Sequence, residues 1–355
     1  MTRDQIVSMA ALAACGVLAT AMTAQAAPML YQSEVTGDTP YVYYRFGEVP
    51  VANNGQVTDS SGNSRHGTYY VGSAGPVATT SGTGTATDPA VSFPGTGTGA
   101  TGSYVGSPIR NFGTSVGASS YEFLYKTNAG FDPLNRQSLF GVFDPSTAPT
   151  DVEVTLNSLG NDATDSDPNT AGNQGWANTT RLYITGADND AIGVHFTNPT
   201  LYDGNYHHLV FTFDRSTMQW TDPDGEGPLG PVPSGGFAAY VDGEPQQLTF
   251  QVVRNTTTSS GTITADPDAL PDGFSAFDFD PTLAARNVRS ATLPATAVQR
   301  LANVTLDEAA LYNRVLSAGE VLAHAQAAGT YVPEPGSLAL VGAAALGMLR
   351  RRRNA

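Results

Sequence analysis

Cysteine is almost absent from this chain, which has one such residue, Cys15, among 355. Cys15 lies in an apolar N-terminal stretch, so the body of the chain has no thiol at all. Disulfides within the chain are therefore excluded, although small exported domains often depend on them. A body of this composition has to be stabilised by a large apolar core, and a bound ion could add to that stability.

Basic residues are also scarce. The chain has 17 Lys and Arg against 32 Asp and Glu, and Lys126 is its single lysine. Five of the basic residues, Arg3 and residues 350–353, lie at the ends, so the body is more acidic than the formal net charge of −15 indicates. Nucleic acid is excluded as a partner because phosphate binding needs clustered Lys and Arg. The acidic surface favours divalent cations instead.

Long hydrophobic runs are missing from the body and occur only at the two ends. At the N-terminus, Arg3 precedes an apolar stretch over residues 6–22, and the Ala-Gln-Ala of residues 24–26 has the small-x-small form that signal peptidase cuts. We predict a signal peptide over residues 1–26. The Leu-Ala-Ala run before Cys15 also has the form of a lipoprotein signal, so lipidation of Cys15 stays an alternative.

The C-terminal run covers residues 338–349 and is followed by four arginines. Twelve apolar residues are fewer than the roughly 20 that an ordinary spanning helix needs. The sequence Pro333, Glu334, Pro335 stands in front of this run. An arginine block after an apolar run holds that end in the cytoplasm and leaves the body outside.

The Pro-Glu-Pro motif, the short run and the basic end together resemble the PEP-CTERM sorting signal of Gram-negative bacteria, which gives a sorting tail over residues 332–355. The resemblance implies an exosortase as processing partner and transient anchoring in the inner membrane. It also implies delivery to the cell surface or to an exopolysaccharide matrix. An ordinary C-terminal membrane anchor is the alternative.

The body between these ends is typical of many short strands joined by turns. In the stretch 201–214, Leu209, Phe211 and Phe213 share one parity, which is the period-2 pattern of a strand. A strand with such a face needs a second sheet to cover it, so the pattern predicts a two-layered β core. Residues 237–241 and 248–253 are predicted to pair as a hairpin around the turn at residues 242–245.

One short α-helix is predicted near the end of the body. Ser317 and Glu320 have the spacing of a capping box, in which each residue bonds the other's backbone N–H group. The helix that follows is expected to end at about Ala328.

Several motifs stand in order along the body, at residues 59–63, 66–68, 203–210, 240–243 and 306–317. Together they resemble the LamG-like jellyroll domain of the concanavalin A-like lectin/glucanase superfamily. The resemblance implies an all-β, two-sheet antiparallel jellyroll sandwich, which we place in a domain over residues 27–331 with polar insertions at 157–178 and 221–236. The sequence departs from this pattern at Tyr206, where the family usually has Trp, and Tyr206 is expected to fill the same place in the core.

The sequence gives no support for catalysis, and we predict that the protein is not an enzyme. Glycosidases of this superfamily place acid and nucleophile on one strand, whereas Glu122, Glu153 and Glu244 each stand alone. Asp307 and Glu308 are adjacent, so on a regular strand they point to opposite faces. Nor is there a Gly-x-Ser-x-Gly elbow. A glycoside hydrolase is the least favoured alternative.

Calcium is the candidate cofactor. Its oxygen ligands could come from the two insertions, which offer Asp162, Asp165, Asp167 and Asn169 in the first and Asp222, Asp224 and Glu226 in the second. Ordinary solvated acidic loops are the alternative. His207 and His208 leave opposite faces of their strand and cannot chelate one zinc ion, so one ring is expected under the sheet and the other outside.

Extracellular polysaccharide is the candidate ligand. Trp176 with Asn178, and Trp220 near the acidic residues of the second insertion, offer aromatic faces flanked by amide and carboxylate groups. Capping of the core edge is the alternative role for both tryptophans. Together these patterns predict an exported glycan-binding or matrix-binding module, with a passive structural surface protein as the alternative.

Overall fold

The computed structural model describes residues 27–48, 51–72, 75–79, 89–95, 102–112, 117–132, 136–143, 152–156, 179–185, 191–221, 232–253, 277, 279–288 and 298–331. The predicted signal peptide, the sorting tail and most of the two insertions lie outside these residues. The described residues form two large sheets, a two-stranded ribbon and two short α-helices, so the predicted all-β class is confirmed.

The first sheet has eight strands, which are β1 (Val42–Tyr44), β4 (Val77–Thr79), β5 (Ala90–Pro94), β7 (Ala118–Thr127), β12 (His207–Asp214), β15 (Phe237–Val241), β16 (Glu244–Pro245) and β21 (Asn303–Tyr312). Their spatial order is β16-β15-β12-β7-β21-β5-β4, and β1 pairs with β21. All these pairings are antiparallel.

The second sheet has eleven strands, which are β2 (Gln56–Val57), β3 (Gly67–Tyr70), β6 (Tyr104–Gly106), β8 (Gln137–Phe143), β9 (Val152–Leu156), β10 (Thr179–Thr185), β11 (Ala191–Thr197), β17 (Thr249–Val253), β18 (Thr282–Leu283), β19 (Arg286–Val288) and β20 (Val298–Gln299). Their order is β17-β11-β10-β9-β8-β18-β6-β3-β2, with β19 paired to β20 and, in parallel, to β8. A separate ribbon joins β13 (Gln219–Thr221) to β14 (Val232–Ser234).

The main core lies between the two sheets. Leu209, Phe211 and Phe213 enter it from β12, as their common parity predicts. The ring centroid of Phe211 lies 5.7 Å from that of Phe196 in β11, so an aromatic contact joins the two sheets directly. The predicted two-layered antiparallel sandwich is therefore confirmed.

The outer face of the first sheet is covered by two helices, an N-terminal helix (Ala27–Gly37) and a C-terminal helix (Ala318–Ala328). Val35 and Val321 of these helices share a buried cluster with Val210 of β12. Because the helices also contact each other, both ends of the described body are fixed on one face.

The C-terminal helix begins and ends where the sequence predicts. The backbone N–H of Ser317 donates to Glu320 Oε2 at 2.6 Å, and the N–H of Glu320 donates to Ser317 Oγ at 3.3 Å. The helix ends before Gly329, whose φ of 74° suits glycine. The N-terminal helix was not predicted; among its side chains that the structure describes, Tyr31 and Val35 are the buried apolar ones.

Two expectations about the strands are wrong. Thr249–Val253 does not return beside Phe237–Val241, because it crosses to the second sheet and pairs with β11. Tyr206 does not plug the core, because it is half-buried and its ring lies 4.8 Å from Lys126 Nζ. The second predicted insertion is in part regular structure, since Val232–Ser234 forms one strand of the ribbon.

Candidate functional site

An open cleft of about 620 Å³ lies at one end of the first sheet. It is lined by the end of β7, by the turn after β7 and by the turn before β12. Ser92 of β5 and Thr305 of β21 complete the lining. A concave surface with both aromatic and polar groups is the usual form of a small-molecule or sugar site.

Asn128 fixes the wall of the cleft that follows β7. Its Nδ2 donates to Ser92 Oγ at 2.9 Å and to the Phe93 carbonyl at 3.0 Å, while its Oδ1 accepts from Thr305 Oγ1 at 2.6 Å. The Asn128 carbonyl accepts from the N–H of Phe131 at 3.0 Å and so closes a tight turn. These bonds tie the turn to two neighbouring strands, so Phe131 is held in place.

An aromatic pair forms the apolar part of the cleft. The rings of Phe131 and Tyr202 are stacked, with centroids 5.4 Å apart and planes at 22°. Tyr202 ends a 3₁₀ turn (Pro199–Tyr202), and its Oη lies 3.0 Å from Thr180 Oγ1. Both rings are half-buried, so part of their surface faces the cleft. Such a surface suits the apolar face of a sugar ring.

Charged groups of both signs line the same cleft. Lys126 lies over the Tyr206 ring in a cation–π arrangement. The Asp203 carboxylate accepts from the N–H of Asn205 at 2.7 Å and lies 3.1 Å from His207 Nε2. Burial would raise the pKa of Asp203, but the bonds from Asn205 and His207 outweigh it and lower that pKa. Asp203 is therefore ionised at neutral pH.

The two adjacent histidines lie on opposite faces of β12, as parity predicts, but neither ring is outside. His207 is also 2.7 Å from Asp242 Oδ2 through its Nδ1, and its exposed fraction is 7%. Burial would lower the pKa of His207, but Asp242 and Asp203 raise it. His208 is fully buried because the two helices cover the outer face of the sheet. The expectation of one exposed ring is wrong.

Glu122 lies at the centre of a fully buried polar cluster on that outer face. Its Oε1 is 2.6 Å from His208 Nε2, 2.9 Å from His324 Nδ1 and 2.9 Å from Tyr31 Oη. Its Oε2 accepts from Tyr312 Oη at 2.6 Å. We call these five residues the Glu122 cluster. They come from β7, β12, β21 and both helices.

The negative charge of Glu122 is balanced mainly by the positive charge of His324. Burial would raise the pKa of Glu122, but His324 and His208 outweigh it and hold that pKa well below its ordinary value. Burial would lower the pKa of His324, but Glu122 and Asp38 raise it to about 9. Asp38 Oδ2 lies 3.0 Å from His324 Nε2. Burial is the main cause that raises the pKa of Tyr31, and the negative charge of Glu122 raises it further, so the Tyr31 hydroxyl stays protonated.

Three members of this cluster could hold a metal ion. The ligand atoms of Glu122, His208 and His324 lie within 4.8 Å of one another. Sequence reasoning missed the set because Glu122 is 86 residues from His208 and 202 from His324. His324 lies in the predicted helix, and no local pattern marks it as a partner of a strand residue.

A second buried carboxylate, Glu153, lies in β9 of the other sheet and is paired with arginines. It contacts Arg300 Nη1 and lies 3.4 Å from Arg286 Nη1, and Ser138 Oγ donates to it. Burial would raise the pKa of Glu153, but Arg300, Arg286 and Arg136 lower it to about 2. These contacts make Glu153 an ion-paired structural group.

The candidate catalytic carboxylates are not brought together. Glu122, Glu153 and Glu244 lie on β7, β9 and β16, which are not neighbouring strands. β21 has a bulge between Leu306 and Glu308, so the regular alternation assumed for Asp307 and Glu308 does not apply there. Both side chains are buried. The absence of enzymatic activity stays a prediction.

Most of the site residues predicted from sequence fall outside the described residues. These are Asp162, Asp165, Asp167, Asn169, Trp176, Asn178, Asp222, Asp224, Glu226, Pro333, Glu334 and Pro335. The backbone of Trp220 lies in β13 opposite Pro233. The calcium site and the tryptophan-based glycan site therefore stay predictions.

Comparison with known protein families finds a sorting motif at the C-terminus. Residues 332–353 match the PEP-CTERM protein-sorting motif, which includes the predicted Pro-Glu-Pro sequence. This motif implies an exported surface protein that is processed by an exosortase. No curated protein sequence matches the chain. Among the described residues, which exclude this tail, no helix is long and apolar enough to cross a membrane.

Solved structures of low sequence identity resemble the body. One concerns botulinum neurotoxin type C, whose cell entry is described as dependent on two ganglioside molecules (TM-score 0.46, 7% identity, 83% of this chain and 52% of that one). Another is the binding domain of botulinum neurotoxin serotype D/C, with a TM-score of 0.46 and 10% identity over 82% of this chain and 53% of that one. A third is the binding domain of Paraclostridial Mosquitocidal Protein 1, with a TM-score of 0.45 and 9% identity over 81% of this chain and 52% of that one. The chain spans about half the length of these structures, and the similarity is too weak to transfer a ligand.

Proposed function

We propose that this exported surface protein binds an extracellular polysaccharide in the cleft at the end of the first sheet, and that it acts by binding without catalysis. The observation that carries the proposal is the stacked pair of Phe131 and Tyr202 beside Lys126 and Asp203. Aromatic faces bind the C–H side of a sugar ring, and charged or amide groups bind its hydroxyls.

The position of the single lysine supports an acidic polysaccharide. Lys126 lines the cleft of a chain that has 32 acidic residues and only 17 basic ones. A uronic acid would be repelled by most of this surface but could pair with Lys126. Trp176, Asn178 and Trp220 are proposed as a second contact surface for the same polymer. Calcium bound in the acidic insertions would reduce the same repulsion.

The sorting signal supports the proposed destination. We infer that residues 338–349 hold the chain in the inner membrane of a Gram-negative bacterium until the exosortase removes the tail. The body then reaches the cell surface or the exopolysaccharide matrix, where a polysaccharide cleft has its ligand in excess.

Binding can be tested with the exported chain on immobilised alginate, a polyuronate, and on dextran, a neutral glucan. Tyr202→Ala should weaken alginate binding about tenfold, because one aromatic–sugar contact is worth about 1.4 kcal/mol. Lys126→Gln should weaken binding to alginate and not to dextran. Tyr70→Ala is the matched control, since Tyr70 is a half-buried tyrosine stacked on Tyr104 away from the cleft.

Equal binding of the wild type, Tyr202→Ala and Tyr70→Ala proteins would overturn the assignment of the cleft. No binding of the wild type to either polymer, with unchanged retention in the matrix, would favour the passive structural protein instead.

A further inference from the structure

We propose that Glu122, His208 and His324 form a structural site for a divalent transition-metal ion of the zinc type. The inference does not depend on the proposed polysaccharide function. It rests on the convergence of one carboxylate and two imidazole rings at a point that is closed to solvent. All three side chains have an exposed fraction of 2% or less.

The hydrogen bonding of Glu122 favours a cation at this point. A carboxylate oxygen has two lone pairs. Oε1 of Glu122 nevertheless has three close contacts, with His208, His324 and Tyr31, whereas Oε2 has one, with Tyr312. A metal ion between Oε1 and the two ring nitrogens would replace two of these contacts and leave Oε1 within its capacity.

The ligand types and their separation fit zinc. Zinc binds nitrogen of His and oxygen of Glu at about 2.0 Å, which in a tetrahedral site places ligand atoms about 3.3 Å apart. Oε1 of Glu122 lies 2.6 Å from His208 Nε2 and 2.9 Å from His324 Nδ1, so an opening of less than about 1 Å admits the ion. Calcium is disfavoured here because it takes oxygen ligands.

The groups around two of the three ligands also match a metal site, whereas Nδ1 of His208 has no hydrogen-bond partner among the described residues. A ligating histidine usually donates its second ring N–H to a carboxylate or carbonyl group. His324 Nε2 has this partner in Asp38 Oδ2, at 3.0 Å. Oε2 of Glu122 is held by Tyr312 Oη. The hydroxyl of Tyr31 donates to Oε1 at 2.9 Å and would hold this oxygen in place beside the ion.

Such an ion would join three elements of the fold directly, and the hydrogen bond from Tyr31 to Glu122 would connect a fourth element to it. Glu122 comes from β7, His208 from β12, His324 from the C-terminal helix and Tyr31 from the N-terminal helix. The body has no cysteine, so a buried metal ion takes the place that disulfides have in many exported domains. Because the site is closed, the ion enters before the N-terminal helix docks, and we expect its release to chelator to be slow.

The test starts with the wild type, so it does not depend on a variant that folds. The exported full chain is unfolded in chelator, refolded with or without Zn²⁺, and freed of excess metal. We expect about one zinc per chain by elemental analysis. Zinc should raise the midpoint of thermal unfolding by about 8 °C. Refolding with Co²⁺ should give the visible absorption bands of a four-coordinate cobalt site with nitrogen ligands.

Variants then locate the ion. His324→Gln and His208→Gln should lose the bound zinc and the cobalt spectrum. His207→Gln is the matched control, because His207 stands directly before His208 in β12 and its side chain lies on the opposite face of the sheet. Tyr312→Phe removes a hydrogen bond from Glu122 but no ligand, so it should retain the metal.

Either of two results overturns the proposal. One is a wild type that refolds without retaining zinc or cobalt, which would mean that a proton on His324 is the only cation in the Glu122 cluster. The other is retained metal in His324→Gln and His208→Gln at the level of His207→Gln, which would place the ion elsewhere.

Discussion

Replacing Glu153 by glutamine should make the stability of this protein less dependent on pH. Glu153 is buried between Arg286 and Arg300, and these charges lower its pKa from an ordinary value of 4.5 to about 2. One pKa unit corresponds to about 1.4 kcal/mol, so the ionised carboxylate contributes about 3 kcal/mol to the free energy of unfolding at neutral pH.

The sign of the pH dependence follows from the direction of the shift. The pKa of Glu153 is lower in the folded state than in the unfolded state, so the contribution is complete above the unfolded pKa of about 4.5. It is lost as the pH falls toward 2. By pH 3 more than half of the 3 kcal/mol should be gone. A glutamine has no carboxylate to ionise, so Glu153→Gln lacks this pH-dependent part.

The assay is urea unfolding of the wild type and Glu153→Gln at pH 6, 4.5 and 3. We expect the difference in unfolding free energy to be largest at pH 6 and to shrink by about 2 kcal/mol at pH 3. Taking the difference removes the contributions of other acidic groups. Glu244→Gln, the same change at an exposed residue of β16, is the control for the substitution itself and should change the unfolding free energy at pH 6 by less than Glu153→Gln. A Glu153→Gln difference that is constant with pH would refute the ion-pair reasoning.

Two further predictions concern segments outside the described residues. Changing residues 333–335 to alanine should leave the tail uncut and the chain in the membrane fraction. Cell fractionation followed by mass spectrometry of the C-terminus measures both. Normal cutting and normal location of this variant would contradict the exosortase assignment. Added calcium should raise the midpoint of thermal unfolding of the wild type but not of a protein with both Asp165→Asn and Asp167→Asn; a wild type that does not respond would rule out the calcium site.

Local patterns predicted those parts of the fold that depend on local physics. The parity of Leu209, Phe211 and Phe213 set the inner face of β12, because successive side chains in a strand alternate. Ser317 and Glu320 marked the start of the C-terminal helix, because a capping box is satisfied within one turn. Strand pairing was less predictable. Residues 249–253 follow a hairpin turn, yet they cross to the second sheet.

The Glu122 cluster could not be predicted either, because it depends on which strands and helices pack together. Glu122 stands alone in sequence, and its partners reach it only because β12 pairs with β7 and the C-terminal helix folds back over both. Parity placed His207 and His208 on opposite faces of β12, but it could not reveal that helices cover the outer face. The N-terminal helix shows the limit most clearly, since packing of Tyr31 and Val35 is what holds it there.

The C-terminal helix is closed by hydrogen bonds that lie ahead of the sorting tail. The N–H groups of Thr330 and Tyr331 donate to the Ala325 carbonyl at 3.1 and 3.2 Å, and Gly329 donates to Gln326, so the end of the C-terminal helix is satisfied before residue 332. The matched sorting motif begins only at residue 332. A cut at the motif therefore removes neither His324 nor any other residue of the two helices.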